Sequence, residues 1–264
     1  MDNSFVTTAA LIAREAGAIL RSGYGHVANI SYKGVIDPVT EYDHRAENYI
    51  ISALRQAFPH HRIHAEESGL QISDGEYCWL VDPLDGTVNF AHGVPIFAVS
   101  LAIVRQDTLL AGVIYDPLRD ELYAAAAGCG ATLNGQPIHV SAQTDLNRAL
   151  LVTGFPYDIR TNPHNNLDHY RNFSLRAQAV RRLGSAALDC AWVAAGRFDG
   201  YWELWVKPWD IAAGALLIQE AGGRVTTAAG TTPFLERDSI LASNGHLHAA
   251  MLTVLQHGAA APLP

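Results

Sequence analysis

The chain has 264 residues, 49% of them hydrophobic, and a formal net charge of −8, enough for a large core in one big domain or two fused halves. The acidic balance argues against broad binding to nucleic acid or anionic membranes, which needs basic patches to displace counterions. It leaves an anionic substrate open, because bound divalent cations reverse a local field.

The three cysteines, Cys78, Cys129 and Cys190, are too scattered for a disulfide framework or a cysteine zinc site, so buried apolar roles in a reducing cytoplasm are expected. Asp2 and Arg14-Glu15 interrupt the N-terminal apolar stretch, which reads as neither signal peptide nor membrane span. In chain order, Phe5, Ala9, Ile12, Ala16 and Ile19 mark one face of a helix that Gly23 and Gly25 close. Ile36 to Thr40 is extended or looped around Pro38. A second helix runs from about Asp43 to Phe58 and stops at Pro59. Short apolar runs at Tyr77–Val81, Phe97–Val104, Leu109–Tyr115 and Leu122–Ala125 predict strands. Asn134-Gly135 predicts a hairpin between Ala131–Leu133 and Pro137–Val140. Successive strands with short turns imply an antiparallel meander and an α+β first half.

After about Ser141–Thr144 the rhythm changes. Strands are predicted at 150–153, 200–203, 224–226 and 240–242, and helices at 166–177, 185–195, 209–221 and 245–256. Gly222-Gly223 is the expected stop of the third of these helices. This alternation suggests an α/β second half. Residues 258–264 are expected to fray.

The chemistry centres on Asp82-Pro83-Leu84-Asp85-Gly86-Thr87. Two carboxylates lie three apart at a strand end, with Pro83 fixing the backbone and Gly86 permitting a tight turn. Such a turn can aim Asp82, Asp85 and the Leu84 carbonyl, all hard oxygen donors, at one Mg²⁺ or Mn²⁺. A helix beginning near Gly86-Thr87 would point its N–H groups at the same place and hold a phosphate. The bland alternative is a simple turn, for which Asp-Pro and Asp-Gly are common. Asp43 and Asp210 read equally as helix N-caps, and Glu66-Glu67 as a solvated charge pair. Their shared position near strand–helix junctions is what sets them apart. His60 and His64 have a helical zinc spacing, but the loop predicted after Pro59 argues against it. Arg181-Arg182 reads as an attractor of anionic substrate or as salt-bridge partners. Trp202, Trp205 and Trp209 read as core or interface.

Asp82-Pro83-Leu84-Asp85-Gly86-Thr87-Val88-Asn89-Phe90 resembles the signature of the inositol monophosphatase family, lithium-sensitive metal phosphatases. Trp209-Asp210-Ile211-Ala212-Ala213-Gly214 resembles its second signature, in the family's order and spacing, and the resemblance spans nearly the whole chain. Ala65 stands where relatives usually have glycine and removes no ligand. The resemblance implies a layered α/β/α/β/α sandwich of the inositol monophosphatase/fructose-1,6-bisphosphatase type. Residues 1–143 would be an α+β half with most metal ligands, and residues 144–264 an α/β half with the substrate loop and last ligand. Homodimers are common in the family.

By that resemblance Glu66, Asp82 and the Leu84 carbonyl hold one Mg²⁺, and Asp82, Asp85 and Asp210 a second. A third leans on Glu66, and Mn²⁺ can substitute. Asp43 and Thr87 match the pair that orients the attacking water, and Lys33 a lysine near the outer metal. Asp85, Gly86, Thr87 and Asp210 would also meet the substrate. Gly184-Ser185-Ala186 matches the substrate loop, and Glu203 a carboxylate that binds a sugar hydroxyl. The implied function is hydrolysis of a small polyol phosphate, with Asn89-Phe90 favouring myo-inositol 1-phosphate. Fructose 1,6-bisphosphate, histidinol phosphate, NADP and 3′-phosphoadenosine 5′-phosphate are alternatives within the fold. A second role, binding the transcription or ribosome-assembly machinery, is known among bacterial members but is not indicated by any sequence feature here.

Overall fold

A computed structural model describes residues 4–232, 235 and 239–261. The chain opens with α1 (Ser4–Gly23), whose Ala9, Ile12, Ala16 and Leu20 are buried. Strands β1 (Ile30–Tyr32) and β2 (Pro38–Thr40) form a small antiparallel ladder ahead of α2 (Glu41–Ala57). Next come β3 (Arg62–Ala65), β4 (Gly69–Gln71), β5 (Tyr77–Asp85) and the short helix α3 (Thr87–Ala91). They are followed by β6 (Ala98–Arg105), β7 (Thr108–Asp116), β8 (Glu121–Ala126), β9 (Ala131–Leu133) and β10 (Gln136–Ile138). An eight-stranded sheet results, in the order β10-β9-β8-β7-β6-β5-β3-β4. Strands β5 to β10 are the expected antiparallel meander, while β3 runs parallel to β5.

The rest of the chain supplies β11 (Leu150–Thr153), α4 (Leu167–Ser174), β12 (Ala179–Arg181), α5 (Ala186–Ala194) and β13 (Gly200–Leu204). After them come α6 (Pro208–Glu220), β14 (Arg224–Thr226), β15 (Ser239–Ser243) and α7 (His248–His257). Its five-stranded sheet has the order β12-β11-β13-β15-β14, with β11 parallel to both neighbours and β15 antiparallel to both of its own.

Burial stacks these parts in layers. Helices α1 and α2 cover one face of the large sheet through Ile12, Ile50 and Leu54, against Trp79, Val81 and Leu101. Helices α5 and α6 lie between the sheets. Their Leu188, Ala191, Ile211 and Leu216 share one apolar cluster with Leu80 and Ala102 of one sheet and Val152 and Tyr201 of the other. Helices α4 and α7 cover the outer face with Phe173 and Met251 against Trp202. The fold is the layered α/β/α/β/α sandwich. Strands covered on both faces read as near-continuous apolar runs, which is why β5, β6 and β7 were legible.

Several elements depart from expectation. Strands β1, β3, β4 and β12 have three or four residues each and polar or half-exposed sequences. Pairing, not local pattern, makes them strands. Cys129 is exposed, although Cys78 and Cys190 are buried. Of the tail expected to fray, Gly258–Ala260 forms a 3₁₀ turn and Ala261 is buried, its carbonyl accepting from the buried Arg176 guanidinium. Residues 262–264 lie outside the described residues.

Close packing between α5 and α6 depends on Gly214, where an added Cβ would lie 2.2 Å from the Cβ of Cys190. Gly214→Ala should therefore lower stability by about 1–3 kcal/mol through overpacking. A urea titration reads this as a lower midpoint with unchanged slope; an unchanged midpoint contradicts the tight inter-helix contact.

Candidate active site

Strand β5 ends in the turn singled out above. Its neighbour β3 stops at Ala65, opposite Val81, so Pro83 removes no ladder bond on that side. On the other side Asp82 pairs with Ser100 and Asp85 with Ala98, with a register shift between them. In a regular strand, residues three apart face opposite ways. The shift lets both carboxylates line a single cleft of about 300 Å³. Leu84 N–H donates to Asp82 Oδ1 at 3.0 Å, tightening the turn. Gly86 has φ +98°, and a Cβ there would lie 2.9 Å from the Ile96 carbonyl oxygen, so only glycine fits.

Behind the turn, Thr87 Oγ1 lies within donating distance of Asp43 Oδ1 at 2.9 Å and the Leu84 carbonyl at 3.0 Å. Asp43 does not line the cleft. It is buried beneath, at the third position of α2, where its Oδ2 accepts from Thr40 N–H (2.8 Å) and Thr40 Oγ1 (2.6 Å). The N-cap of α2 is Thr40, not Asp43 as expected; Asp43 is the N3 acid that bonds back to it, and that role coexists with the Thr87 partnership. Asp210 is likewise the N3 acid of α6 and not its N-cap, its Oδ2 accepting from Lys207 N–H at 2.8 Å while the residue lines the cleft.

Glu66 follows β3 directly. Lys33 Nζ donates to Glu66 Oε1 (2.9 Å) and to Glu67 Oε1 (2.7 Å), closing one side of the cleft. Gly184, at φ +85°, leads into Ser185, the N-cap of α5. Ser185 Oγ and Ala187 N–H both donate to Asp85 Oδ2, at 2.5 and 2.7 Å. The predicted substrate loop thus also clamps a predicted metal ligand. Asn89, from the first motif, donates to the carbonyls of Ile96 and Leu183, each at 2.8 Å, tying α3 to that loop. Glu203 lines the cleft from β13, its Oε2 accepting from Tyr201 Oη at 2.7 Å.

The electrostatics follow from crowding acids in a desolvated space. Burial pushes the Asp82 carboxyl well above its usual range, and Glu66, Asp85 and Asp210 push it further. Burial does the same for Asp210, with Glu66 and Asp85 adding. Glu66 is pushed up to about 7 by burial, partly offset by Lys33. Asp85 rises to about 6 through burial, opposed by its bonds to Ser185 and Ala187. Burial works against the Lys33 charge, but the attraction of Glu66 and Glu67 outweighs it. Among the described residues no three acid, imidazole or thiol groups stand as a finished cation cage; Glu66 is turned to Lys33. The donor set nonetheless fits a divalent cation: carboxylates and one carbonyl, all hard oxygens, whose repulsion a cation would relieve.

Sequence reasoning missed part of the wall. Trp205 and Trp209, expected in the core or an interface, line the cleft, whereas Trp202 is the core residue. Trp205 sits at φ +65°, strained for a bulky side chain, with its Nε1 donating to the His164 carbonyl at 2.8 Å. Tyr157 and Asp189 also line the cleft. The one available signal for Asp189 was a lone acid in an alanine-rich helix. Arg182 lines the cleft, but Arg181 does not. His60 lies outside any helix and His64 sits on β3 with its ring against Trp209 at 4.9 Å, so the two do not form a helical zinc pair.

The profile of the inositol monophosphatase family matches residues 2–259. The chain is 47% identical to the Nus factor SuhB of Pseudomonas aeruginosa, covering 92% of this chain and 93% of that one. It is 46% identical to the inositol-1-monophosphatase of Synechocystis, covering 92% and 85% respectively. The inositol monophosphatase structure from Anabaena superposes with a TM-score of 0.88 at 44% identity, over 96% of each chain. The suhB extragenic suppressor protein of Bartonella henselae gives 0.92 at 40% identity, over 97% of this chain and 99% of that one. Cleft, motifs and likeness agree, and the chain belongs to the inositol monophosphatase family.

Proposed function

We propose that the chain is a Mg²⁺-dependent phosphomonoesterase acting on a small polyol phosphate, with myo-inositol 1-phosphate as its substrate. The observation that carries this reading is the gathering of Glu66, Asp82, Asp85, Asp210 and the Leu84 backbone around one cleft, with Thr87 tied to buried Asp43 at its floor. Residues 1–143 supply all of these ligands except Asp210, which comes from residues 144–264.

Glu66, Asp82 and the Leu84 carbonyl would hold one Mg²⁺, and Asp82, Asp85 and Asp210 a second, with Asp82 shared and Glu66 able to support a third; Mn²⁺ has the same ligand preference. When bound, the cations neutralise phosphate charge and lower the pKa of water. The chain's own residues do the rest. With its hydrogen given to Asp43 Oδ1, Thr87 Oγ1 keeps lone pairs that accept a proton from the attacking water, and Asp43 receives the relayed proton. The two bonds from Thr40 hold the other Asp43 oxygen fixed, so the relay stays aimed. Gly86 and the Gly184–Ala186 loop line the cleft beside Asp85, where the phosphate would sit. Glu203 faces the leaving alcohol, and its carboxyl, pushed up to about 7 by burial, suits a hydroxyl partner. Lys33 now occupies one Glu66 oxygen, which a bound cation would take from it.

The P. aeruginosa relative is named a Nus factor, which favours a second reading as a regulatory binding protein of the transcription machinery. Metal-dependent phosphate release separates the two, since a pure binding module releases none.

Asp85→Asn and Asp210→Asn should each lower turnover at least about 10²-fold, the scale of losing one charge-stabilising group, while circular dichroism stays native. Near-wild-type turnover in either contradicts the metal assignment. Thr87→Val, which keeps the volume and removes the hydroxyl, should cost about 10²–10⁴ in kcat; an unaffected kcat ends the relay. A substrate panel tests the polyol: inositol phosphate slower than fructose 1,6-bisphosphate, histidinol phosphate, NADP and 3′-phosphoadenosine 5′-phosphate would end the inositol reading and keep the phosphatase.

A further inference from the structure

Helix α5 is almost wholly small and apolar. Ala187, Leu188, Cys190, Ala191 and Val193 are buried, and the helix lies between two sheets. Its one charged residue is Asp189, exposed by only 1% and yet part of the cleft wall. It sits one turn beyond Ser185, to whose carbonyl its N–H donates at 2.9 Å. Residues four apart share a helix face, so Asp189 stands on the same side as the hydroxyl that holds Asp85.

The carboxyl is not satisfied from within. Asp189 Oδ1 is buried with no hydrogen-bond partner. Burial pushes the group well above the usual carboxylate range, Glu203 and Asp85 add to this, and Arg182 offsets part of it. An unsatisfied buried polar oxygen is costly, and a packing role is filled more cheaply by an apolar side chain. Glu203 also lines the cleft, with its Oε2 accepting from Tyr201. Both acids line the cleft near Asp85, whose charge bears on each of them.

Building on the phosphatase reading above, we propose that Asp189 is a substrate-binding residue that hydrogen-bonds a hydroxyl of the leaving polyol, next to the one met by Glu203. The ligand it selects is a phosphate ester whose alcohol carries further hydroxyls, and rotation about the terminal torsion of Asp189 brings either oxygen to it. A site built to bond a hydroxyl discriminates against an analogue without one, because its buried polar group then stays unpaired.

The test compares wild type and Asp189→Asn on myo-inositol 1-phosphate and on cyclohexyl phosphate, the same ring stripped of hydroxyls. The variant should reduce the ratio of the two kcat/KM values about tenfold, mainly through a higher KM for the inositol ester. Equal losses on both esters would mark Asp189 as merely structural and overturn the inference. Should the variant not fold, a crystal structure of the wild type with inositol bound decides. A ring hydroxyl within hydrogen-bond distance of an Asp189 oxygen supports the inference, and none there overturns it. If wild type releases no phosphate from either ester with Mg²⁺, the polyol-phosphate reading falls and this one falls with it. An active wild type with equal losses removes this one alone.

Discussion

Everything in this molecule turns on the cost of holding like charges together out of water. Glu66, Asp82, Asp85 and Asp210 come from three separate parts of the chain and meet in a space where burial raises their carboxyl pKa values, with repulsion from the other acids adding at Asp82 and Asp210. No local preference favours that arrangement. It persists because the sandwich around it is fixed by a large apolar core, with α5 and α6 locked between two sheets. The core supplies the stability and the acids use part of it, the usual relation between a scaffold and a strained site.

The same side chains serve both ends of that relation. Asp43 and Asp210 each use one oxygen to satisfy a free N–H at a helix start. Asp85 accepts the bonds that start α5. Each acid is thus anchored by a helix terminus, where the positive end of the backbone dipoles partly compensates its charge. This explains why capping and functional readings of these residues are not rivals. A helix start is a place where an acid can be buried at reduced cost and aimed precisely.

Much of this was legible in the sequence, and the unread portion has a physical reason. The long runs of β5, β6 and β7 were readable because both faces are buried, and α1 because one face is. The two motifs around Asp82 and Asp210, through their resemblance to the family signatures, pointed to residues that line one cleft; alone, Asp-Pro and Asp-Gly are ordinary turn formers. What stayed hidden depends on distant partners. Strand β3 exists through its pairing with β5, and the register shift that turns Asp85 into the cleft depends on β6. Trp205 looked like core because its positive φ cannot be seen in a residue type. Asp189 carries no motif of its own, and only the fold places it, buried, on the cleft wall.

The most direct test of the account is a crystal structure grown with Mn²⁺ and phosphate, using the anomalous signal to locate the metal. The account predicts Mn²⁺ peaks within the cleft, coordinated by oxygens of Glu66, Asp82, Leu84, Asp85 and Asp210, with Lys33 drawn away from Glu66 and phosphate against the metals. Mn²⁺ absent from the cleft at saturating concentration, or bound without Asp82, would contradict it.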